Sequence, residues 1–154
     1  MADLEVGAAA PEFELAGADG PVRLSDFKGK ALVLYFYPKD DTTGCTREAQ
    51  DFTALVDAFA KAGAAVLGAS KDSTASHAKF TAKHGLTIPL GSDPEGVVIA
   101  RYGSWVEKSL YGRKYMGIER STFLIDKVGT LVRVWRKVKT PGHAAEVLKA
   151  AQSL

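Results

Sequence analysis

The chain contains one cysteine, Cys45, in a polar stretch that precedes the apolar pattern of a helix. Residues 40–46 read Asp-Asp-Thr-Thr-Gly-Cys-Thr. A single cysteine excludes an internal disulfide framework and a zinc site built from several thiolates. Two interpretations remain, a small buried apolar residue or a reactive thiol, and the polar neighbours favour the reactive thiol.

A thiol attacks a peroxide only as its thiolate, so the residues around Cys45 must stabilise a negative charge. The predicted helix begins near Cys45, and the free N–H groups and dipole of a first helical turn favour an anion. A nearby cation would add to this effect. Arg120 is the candidate, because it directly precedes a predicted strand of the same sheet. Thr42 can hold a peroxide against the sulfur through its hydroxyl, and Pro38 can shield the thiol from water.

Strand and helix patterns alternate along the chain and must position these residues. The run 31–37 is apolar throughout, which is typical of a central strand, and Pro38 ends it. The other predicted elements are a hairpin around residues 13–24, a helix from near Cys45 to Gly63, a strand at 65–70, helices at 73–84, 97–102 and 143–152, and a hairpin of strands 122–125 and 131–135. The β-α-β order predicts largely parallel pairing.

We therefore expect an α/β protein with a thioredoxin-like fold. Its central mixed sheet should carry helices on both faces and an N-terminal β-hairpin extension, in one domain spanning residues 1–154. No stretch is apolar enough to span a bilayer and no export signal is evident, so we expect a cytoplasmic protein without membrane contact.

Charge and motif content argue against several other classes of function. Residues 1–77 hold 7 basic and 12 acidic residues, whereas residues 78–154 hold 13 and 6. The basic residues are spaced along the chain, so we interpret them as a solvated face and expect no nucleic-acid binding. His77, His84 and His143 lack metal-ligand spacing and are expected at the surface or as helix caps. We expect neither a metal nor a cofactor.

The segment around Cys45 closely resembles the active-site loop of peroxiredoxins, in the subgroup of bacterioferritin comigratory proteins, or peroxiredoxin Q. It reads Pro-Lys-Asp-Asp-Thr-Thr-Gly-Cys-Thr-Arg-Glu-Ala from 38 to 49, and segments 24–30, 111–118, 120–126 and 135–143 agree as well. The resemblance implies that Cys45 is the peroxidatic cysteine, that Pro38 and Thr42 complete its loop, and that Arg120 polarises the peroxide and steadies the thiolate.

Three further positions qualify the resemblance. Glu48 matches a family position, and we assign it a local role near the helix start. It also stands where a Cys-x-x-Cys motif would need its second cysteine, which argues against thiol–disulfide exchange of that type. Thr43 replaces a common family proline, and Gln50 stands where many members carry a resolving cysteine.

With one thiol, a sulfenic acid at Cys45 cannot form an intramolecular disulfide, so an external thiol must reduce it. The resemblance therefore implies a one-cysteine peroxiredoxin, expected as a monomer. It would reduce hydrogen peroxide and organic hydroperoxides and be regenerated by thioredoxin, glutaredoxin or glutathione. The alternative is a peroxide sensor or chaperone-like holdase on the same scaffold, without efficient turnover.

Overall fold

A seven-stranded sheet organises the structure, a computed structural model that describes residues 4–154. The strands are β1 Glu14–Gly17, β2 Gly20–Arg23, β3 Ala31–Phe36, β4 Ala64–Ser70, β5 Leu90–Ser92, β6 Trp105–Leu110, β7 Arg113–Ile118, β8 Ser121–Ile125 and β9 Leu131–Trp135. The α-helices are α1 Thr43–Ala54, α2 Val56–Lys61, α3 Thr74–His84, α4 Val97–Arg101 and α5 His143–Gln152. In the large sheet the order is β2-β1-β5-β4-β3-β8-β9, and β6 and β7 form a separate hairpin.

The sheet is mixed, as expected, but it is less parallel than the sequence indicated. Only two of its six strand pairs, β3–β4 and β4–β5, are parallel. The hairpins β1–β2 and β8–β9 join the central strands antiparallel, through β1–β5 and β3–β8. The apolar pattern of a buried strand does not report the direction of its partner, so the extent of parallel pairing was overestimated.

Strand β3 is buried on both faces and divides the core into two clusters. Ala31, Val33 and Tyr35 point into a cluster that also contains buried residues of α1, α2, α3 and α5. Leu32, Leu34 and Phe36 point into a second cluster with Val98 and Ile99 of α4 and the adjoining Tyr102. This arrangement confirms the thioredoxin-like α/β fold with helices on both faces of the sheet.

Most predicted elements are present within a residue or two of their expected bounds. The predicted single helix to Gly63 is wrong: the structure ends α1 at Ala54 and begins α2 at Val56, with Leu55 between them. Phe52 and Phe59 are nevertheless both buried in the same cluster. Helical spacing of apolar residues identifies the buried face but does not detect a single residue that interrupts the helix.

Three strands were not predicted, namely β5 and the β6–β7 hairpin. Strand β5 has only three residues, and the hairpin is largely exposed and rich in charged residues. Neither gives the apolar alternation that identifies a half-buried strand. Within residues 4–154, none of the helices combines the length and apolarity that crossing a bilayer requires.

The pairing of β3 with β8 explains why Arg120 lies close to Cys45. Phe36, the last residue of β3, pairs with Ser121, the first residue of β8. Arg120 therefore lies just beyond the same end of the sheet at which β3 leads into the loop before α1. The sheet register thus places a residue far along the chain beside Cys45.

Close packing between β3 and β4 generates a stability prediction at Gly68. A Cβ atom at this position would lie 2.7 Å from Cζ and 2.8 Å from the hydroxyl oxygen of Tyr35. Gly68→Ala should therefore destabilise the fold by about 1–3 kcal/mol through overpacking, measured by denaturant unfolding. Gly117→Ala is the matched control, since its Cβ would meet only the flexible Lys108 side chain, at 3.3 Å, and the Tyr115 ring, at 3.5 Å. Equal stability losses in the two variants would contradict the prediction.

Candidate active site

The loop between β3 and α1 places Cys45 in the first turn of the helix. Thr42 is the N-cap residue, with extended backbone angles, and its carbonyl accepts the N–H of Thr46 at 2.8 Å. Its side chain does not cap the helix; the hydroxyl donates to the carbonyl of Lys39 at 2.9 Å. The N-terminal N–H groups of α1 are therefore not occupied by this hydroxyl, and their partial positive charge lies close to Cys45.

The Cys45 thiol is enclosed, with the residue only 2% exposed. It belongs to the cluster that holds Tyr35, Tyr37 and Phe52, so the setting is more apolar than the sequence around it indicated. Its polar contact comes from Arg120, whose Nη2 donates to Sγ at 3.3 Å. A guanidinium at this distance stabilises a thiolate far more than a thiol, because the anion is the stronger acceptor.

Arg120 makes a second charged contact, with Glu48. Its Nη1 donates to Oε1 of Glu48 at 2.6 Å, and the carboxylate side chain is 1% exposed. The local role assigned to Glu48 is therefore wrong, since the residue binds the arginine that contacts the sulfur. Cys45 and Glu48 are three residues apart in α1, which places both on one face of the helix, and that spacing was the available signal.

Gly44 allows the guanidinium to approach the helix closely. A Cβ atom on this residue would lie 3.2 Å from Nη2 of Arg120, the nitrogen that donates to the sulfur. A larger residue at 44 would crowd the guanidinium at the point of contact. Glycine at this position therefore contributes space for the arginine.

One guanidinium thus lies between two acidic groups. Burial raises the pKa of Glu48 to about 7, although its contact with Arg120 lowers it. For Arg120, burial lowers the pKa, but the charges of Glu48 and Cys45 outweigh this effect and raise it, so the side chain stays cationic. Cys45 and Glu48 therefore compete for the same positive charge.

Cys45, Glu48 and Arg120 are here called the charge cluster. Two buried oxygen atoms, Oε2 of Glu48 and the hydroxyl of Tyr35, have no hydrogen-bond partner. Burial raises the pKa of Tyr35 well above its ordinary value, and the negative charges of Glu48 and Cys45 raise it further. Tyr35 therefore remains a neutral phenol. Its ring stacks on Phe52 with centroids 4.7 Å apart, in the buried cluster that also contains Cys45.

A buried hydrogen-bond network ties the loop before α1 to helix α3. Oδ2 of Asp40 accepts from Nδ1 of His77 at 2.7 Å and from the Ser76 hydroxyl at 2.7 Å, while Oδ1 accepts from the Tyr37 hydroxyl at 2.6 Å. Nε2 of His77 faces the carbonyl of Gly91 at 3.1 Å. His77 thus connects the loop before α1 to α3 and to strand β5 through buried hydrogen bonds.

The same network defines the charge state of Asp40 and the role of its neighbour Asp72. Burial raises the pKa of Asp40, but the hydrogen bonds from His77, Tyr37 and Ser76 outweigh burial and leave it below the ordinary value. Oδ2 of Asp72 accepts from the backbone N–H of Asp40 at 2.8 Å. Asp40, Asp72 and His77 are residue types that bind metals. Their contacts here are hydrogen bonds among themselves and with the chain, and we assign them that role.

Asp41 forms a second, exposed tether to α3. Its carboxylate accepts from Nζ of Lys83 at 2.7 Å and from Nε2 of His84 at 2.8 Å, and these hydrogen bonds lower its pKa. Asp41 adopts a positive φ of 60°. Asp40 and Asp41 thus both hold the loop before α1 against a neighbouring helix.

The expectation that the histidines lie at the surface or cap helices is wrong for two of them. His77 is buried in the network described above, and His143 is buried at the start of α5, where its Nε2 contacts the hydroxyl of Thr122 at 2.8 Å. Burial lowers the pKa of His143 to about 4, so it is neutral at physiological pH. Isolated histidines carry no sequence signal that separates a buried hydrogen-bonded ring from an exposed one.

The structure therefore brings two of the four candidate residues, Cys45 and Arg120, into direct contact. Thr42 and Pro38 are exposed and lie in the loop that leads into α1. Thr42 contributes one hydrogen bond within this loop, to the carbonyl of Lys39. An enclosed sulfur beside a fixed guanidinium is suited to reaction with a small, polar electrophile.

Known proteins that are similar to this chain match nearly its whole length. A family model described as AhpC/TSA matches residues 6–134. The chain belongs to the AhpC/TSA family. It is 49% identical over 152 residues to the peroxiredoxin Bcp of Bacillus subtilis, covering 98% of this chain and 97% of that protein. It is 50% identical over 146 residues to a putative peroxiredoxin Bcp of Coxiella burnetii, covering 94% and 97%.

Solved peroxiredoxin structures confirm the fold. The chain superposes on a cysteine-to-serine mutant of PrxQ from Xylella fastidiosa with a TM-score of 0.93 and 39% identity, covering 99% of this chain and 98% of that one. For peroxiredoxin Q of Xanthomonas campestris the TM-score is 0.87 and the identity 46%, covering 92% and 90%. This peroxiredoxin therefore shares its architecture with the Bcp and PrxQ group, and family membership identifies it as a thiol peroxidase.

The buried Glu48 carboxyl predicts a specific dependence of stability on pH. Its pKa is raised from 4.5 to about 7 in the folded protein, so its contribution favours folding most below pH 4.5 and is lost as the pH rises through 7. Relative to Glu48→Gln, the wild type should lose stability on the order of 3 kcal/mol between these limits. Denaturant unfolding of both proteins across this range tests the prediction. A constant difference in stability would show that the pKa of Glu48 is the same in the folded and unfolded states.

Proposed function

We propose that this peroxiredoxin is a one-cysteine enzyme, in which Cys45 reduces hydrogen peroxide and organic hydroperoxides and an external thiol completes the cycle. The observation that carries this proposal is the 3.3 Å contact between Arg120 and the sulfur of the single cysteine in the chain. The guanidinium favours the thiolate before the reaction and is available to the peroxide oxygens during it.

The proposed first step is a displacement at oxygen. The Cys45 thiolate attacks the terminal oxygen of ROOH, an S–O bond forms, and the O–O bond breaks. The products are a sulfenic acid, Cys45–SOH, and RO⁻, which takes up one proton to leave as an alcohol, or as water when the substrate is hydrogen peroxide. Sulfur is oxidised by two electrons and the peroxide is reduced by two. Arg120 would stabilise the negative charge that develops on the leaving oxygen.

Thr42 and Pro38 take supporting roles in this proposal. The Thr42 hydroxyl donates to Lys39 in the resting structure and would exchange this bond for one to the peroxide. Pro38 follows the end of β3 without a backbone N–H, so it offers no donor that would compete for the peroxide oxygens. Because Cys45 is only 2% exposed, the substrate must enter through small movements of the loop that contains both residues.

The proposed cycle needs an external thiol because the chain has no second cysteine. Gln50 lies in α1, five residues after Cys45, and no second cysteine occurs anywhere in the sequence. A reductant thiol attacks Cys45–SOH to form a mixed disulfide and water, and a second thiol of the reductant releases Cys45 as it forms its own disulfide. Thioredoxin, glutaredoxin and glutathione, the last as two molecules, all supply this chemistry.

The proposal also covers the domain organisation, the oligomeric state and the compartment of the protein. We propose that residues 1–154 form one domain, because the strands from β1 to β9 contribute to one large sheet apart from the β6–β7 hairpin. We further propose that the enzyme acts as a monomer in the cytoplasm.

The one-cysteine cycle predicts a defined series of masses. Addition of one equivalent of hydrogen peroxide to the reduced protein should increase its mass by one oxygen atom. Subsequent glutathione should give an adduct and then the original mass, both visible by intact mass spectrometry. Cys45→Ser should show none of these changes and no peroxidase turnover, while keeping the fold.

Several outcomes would count against this cycle. A serine variant with full turnover would contradict the role of Cys45. An oxidised protein that is not restored by thioredoxin, glutaredoxin or glutathione would contradict the enzymatic cycle and favour the sensor or holdase alternative.

Arg120 generates a kinetic prediction. Arg120→Ala removes both the cation beside the sulfur and a donor to the peroxide, and oxidation of Cys45 should slow by about 100-fold or more. Arg120→Lys keeps the charge but not the two separate N–H donors that contact Cys45 and Glu48, so it should recover only part of the rate. Stopped-flow measurement of peroxide consumption tests both variants, and oxidation rates equal to that of the wild type would exclude the proposed role.

A further inference from the structure

The β6–β7 hairpin lies outside the seven-stranded sheet and exposes apolar side chains. Leu110, Tyr111, Tyr115 and Met116 are 56%, 96%, 47% and 49% exposed. The base of the hairpin packs on the core, through Trp105 and Ile118. A two-stranded extension of this kind is marginal on its own, and its exposed apolar side chains are typical of a surface that binds another molecule.

The register of the hairpin sorts its side chains into two faces. Residues that pair directly lie on the same face of an antiparallel ladder. One face contains the core contacts at the base and, further out, an ion pair between Glu107 and Lys114 at 3.7 Å. The opposite face, here called the hairpin face, consists of Val106, Lys108, Leu110, Arg113, Tyr115 and Gly117.

The hairpin face combines apolar surface with positive charge and contains no acidic residue. Gly117 leaves space between its neighbours, so the Cδ of Lys108 and the ring of Tyr115 approach the position where a Cβ would lie to within 3.3 and 3.5 Å. An aromatic ring and an aliphatic stem therefore close over the glycine, with Leu110 and Arg113 beyond them towards the tip. Tyrosine and arginine are the residue types that contribute most often to binding energy at protein interfaces.

The base of the hairpin adjoins the active site. Strand β7 ends at Ile118, two residues before Arg120, and the N–H of Glu119 donates to the carbonyl of Ser104 at 2.8 Å, which closes the base. The carbonyl of Arg120 in turn accepts the N–H of Val138, from a loop that also contains Lys137 and Lys139. Basic residues therefore occur both on the hairpin face and in the loop that binds the Arg120 carbonyl, and their charge complements an acidic partner.

We propose that the hairpin face docks the protein that reduces oxidised Cys45, an acidic protein with a reactive thiol. This inference rests on the proposed one-cysteine cycle, in which the reductant must come from outside. Apolar contact with Leu110 and Tyr115 holds the partner, and Lys108 and Arg113 attract its acidic rim. The partner thiol then displaces water from Cys45–SOH to form the mixed disulfide, and its second thiol breaks that bond.

The test compares a protein reductant with a small one. The probes are an acidic bacterial thioredoxin, supplied with its reductase and NADPH, and dithiothreitol. In the double variant Leu110→Ser/Tyr115→Ser, kcat/KM for thioredoxin should fall by at least about tenfold. Turnover with dithiothreitol and the rate of Cys45 oxidation by hydrogen peroxide should stay within about twofold of the wild type, which also shows that the site remains folded.

Two further variants make the comparison sharper. Met116→Ser removes a similarly exposed apolar side chain from the opposite face and should leave thioredoxin turnover unchanged. Lys108→Glu/Arg113→Glu should raise KM for thioredoxin several-fold and weaken its dependence on salt, since charge on the rim acts mainly on the rate of association.

The docking proposal and the one-cysteine cycle on which it rests would be contradicted by different results. Equal thioredoxin kinetics in the wild type and both double variants would exclude docking on the hairpin face. An equal loss with dithiothreitol would assign the residues to the fold, and loss of self-association in the variants would assign the face to a second copy of the chain. Turnover with dithiothreitol but with neither thioredoxin nor glutaredoxin would overturn docking alone, whereas no turnover with any thiol would overturn the cycle.

Discussion

The Arg120 guanidinium between Glu48 and Cys45 is the interaction on which this site depends. Two groups that become negative share one positive charge in a nearly closed pocket, at 2.6 Å from the carboxylate and 3.3 Å from the sulfur. In such surroundings an unpaired charge has a high free energy, so the ionisation of one group affects the other. We therefore expect the ionisation of Glu48 to influence the reactivity of Cys45.

The fold fixes this charge cluster from two directions. The β3–β8 register brings Arg120 to the end of β3, while α1 presents Cys45 and Glu48 on one face. The loop between β3 and α1 is held to α3 by the buried Asp40–His77 pair and by exposed Asp41. We therefore expect any movement of this loop to disturb these contacts with α3.

The sequence predicted the elements that give strong periodic signals and the residues of the charge cluster that carry recognisable chemistry. Buried β3, helix α3 and the position of Arg120 before β8 all follow from local patterns. The interruption at Leu55, the exposed β6–β7 hairpin and the extent of antiparallel pairing do not, because they depend on packing between distant segments. The contact of Glu48 with Arg120 and the burial of His77 and His143 were missed for the same reason.

The most direct measurement of the central claim is the ultraviolet absorbance of the Cys45 thiolate at neutral pH, with Cys45→Ser as the blank. If one guanidinium is shared, the thiolate signal should decrease in Arg120→Ala, which removes the charge. It should increase in Glu48→Gln, which removes the competitor and keeps an oxygen acceptor for Arg120. Equal thiolate signals in the wild type and both variants would contradict the account.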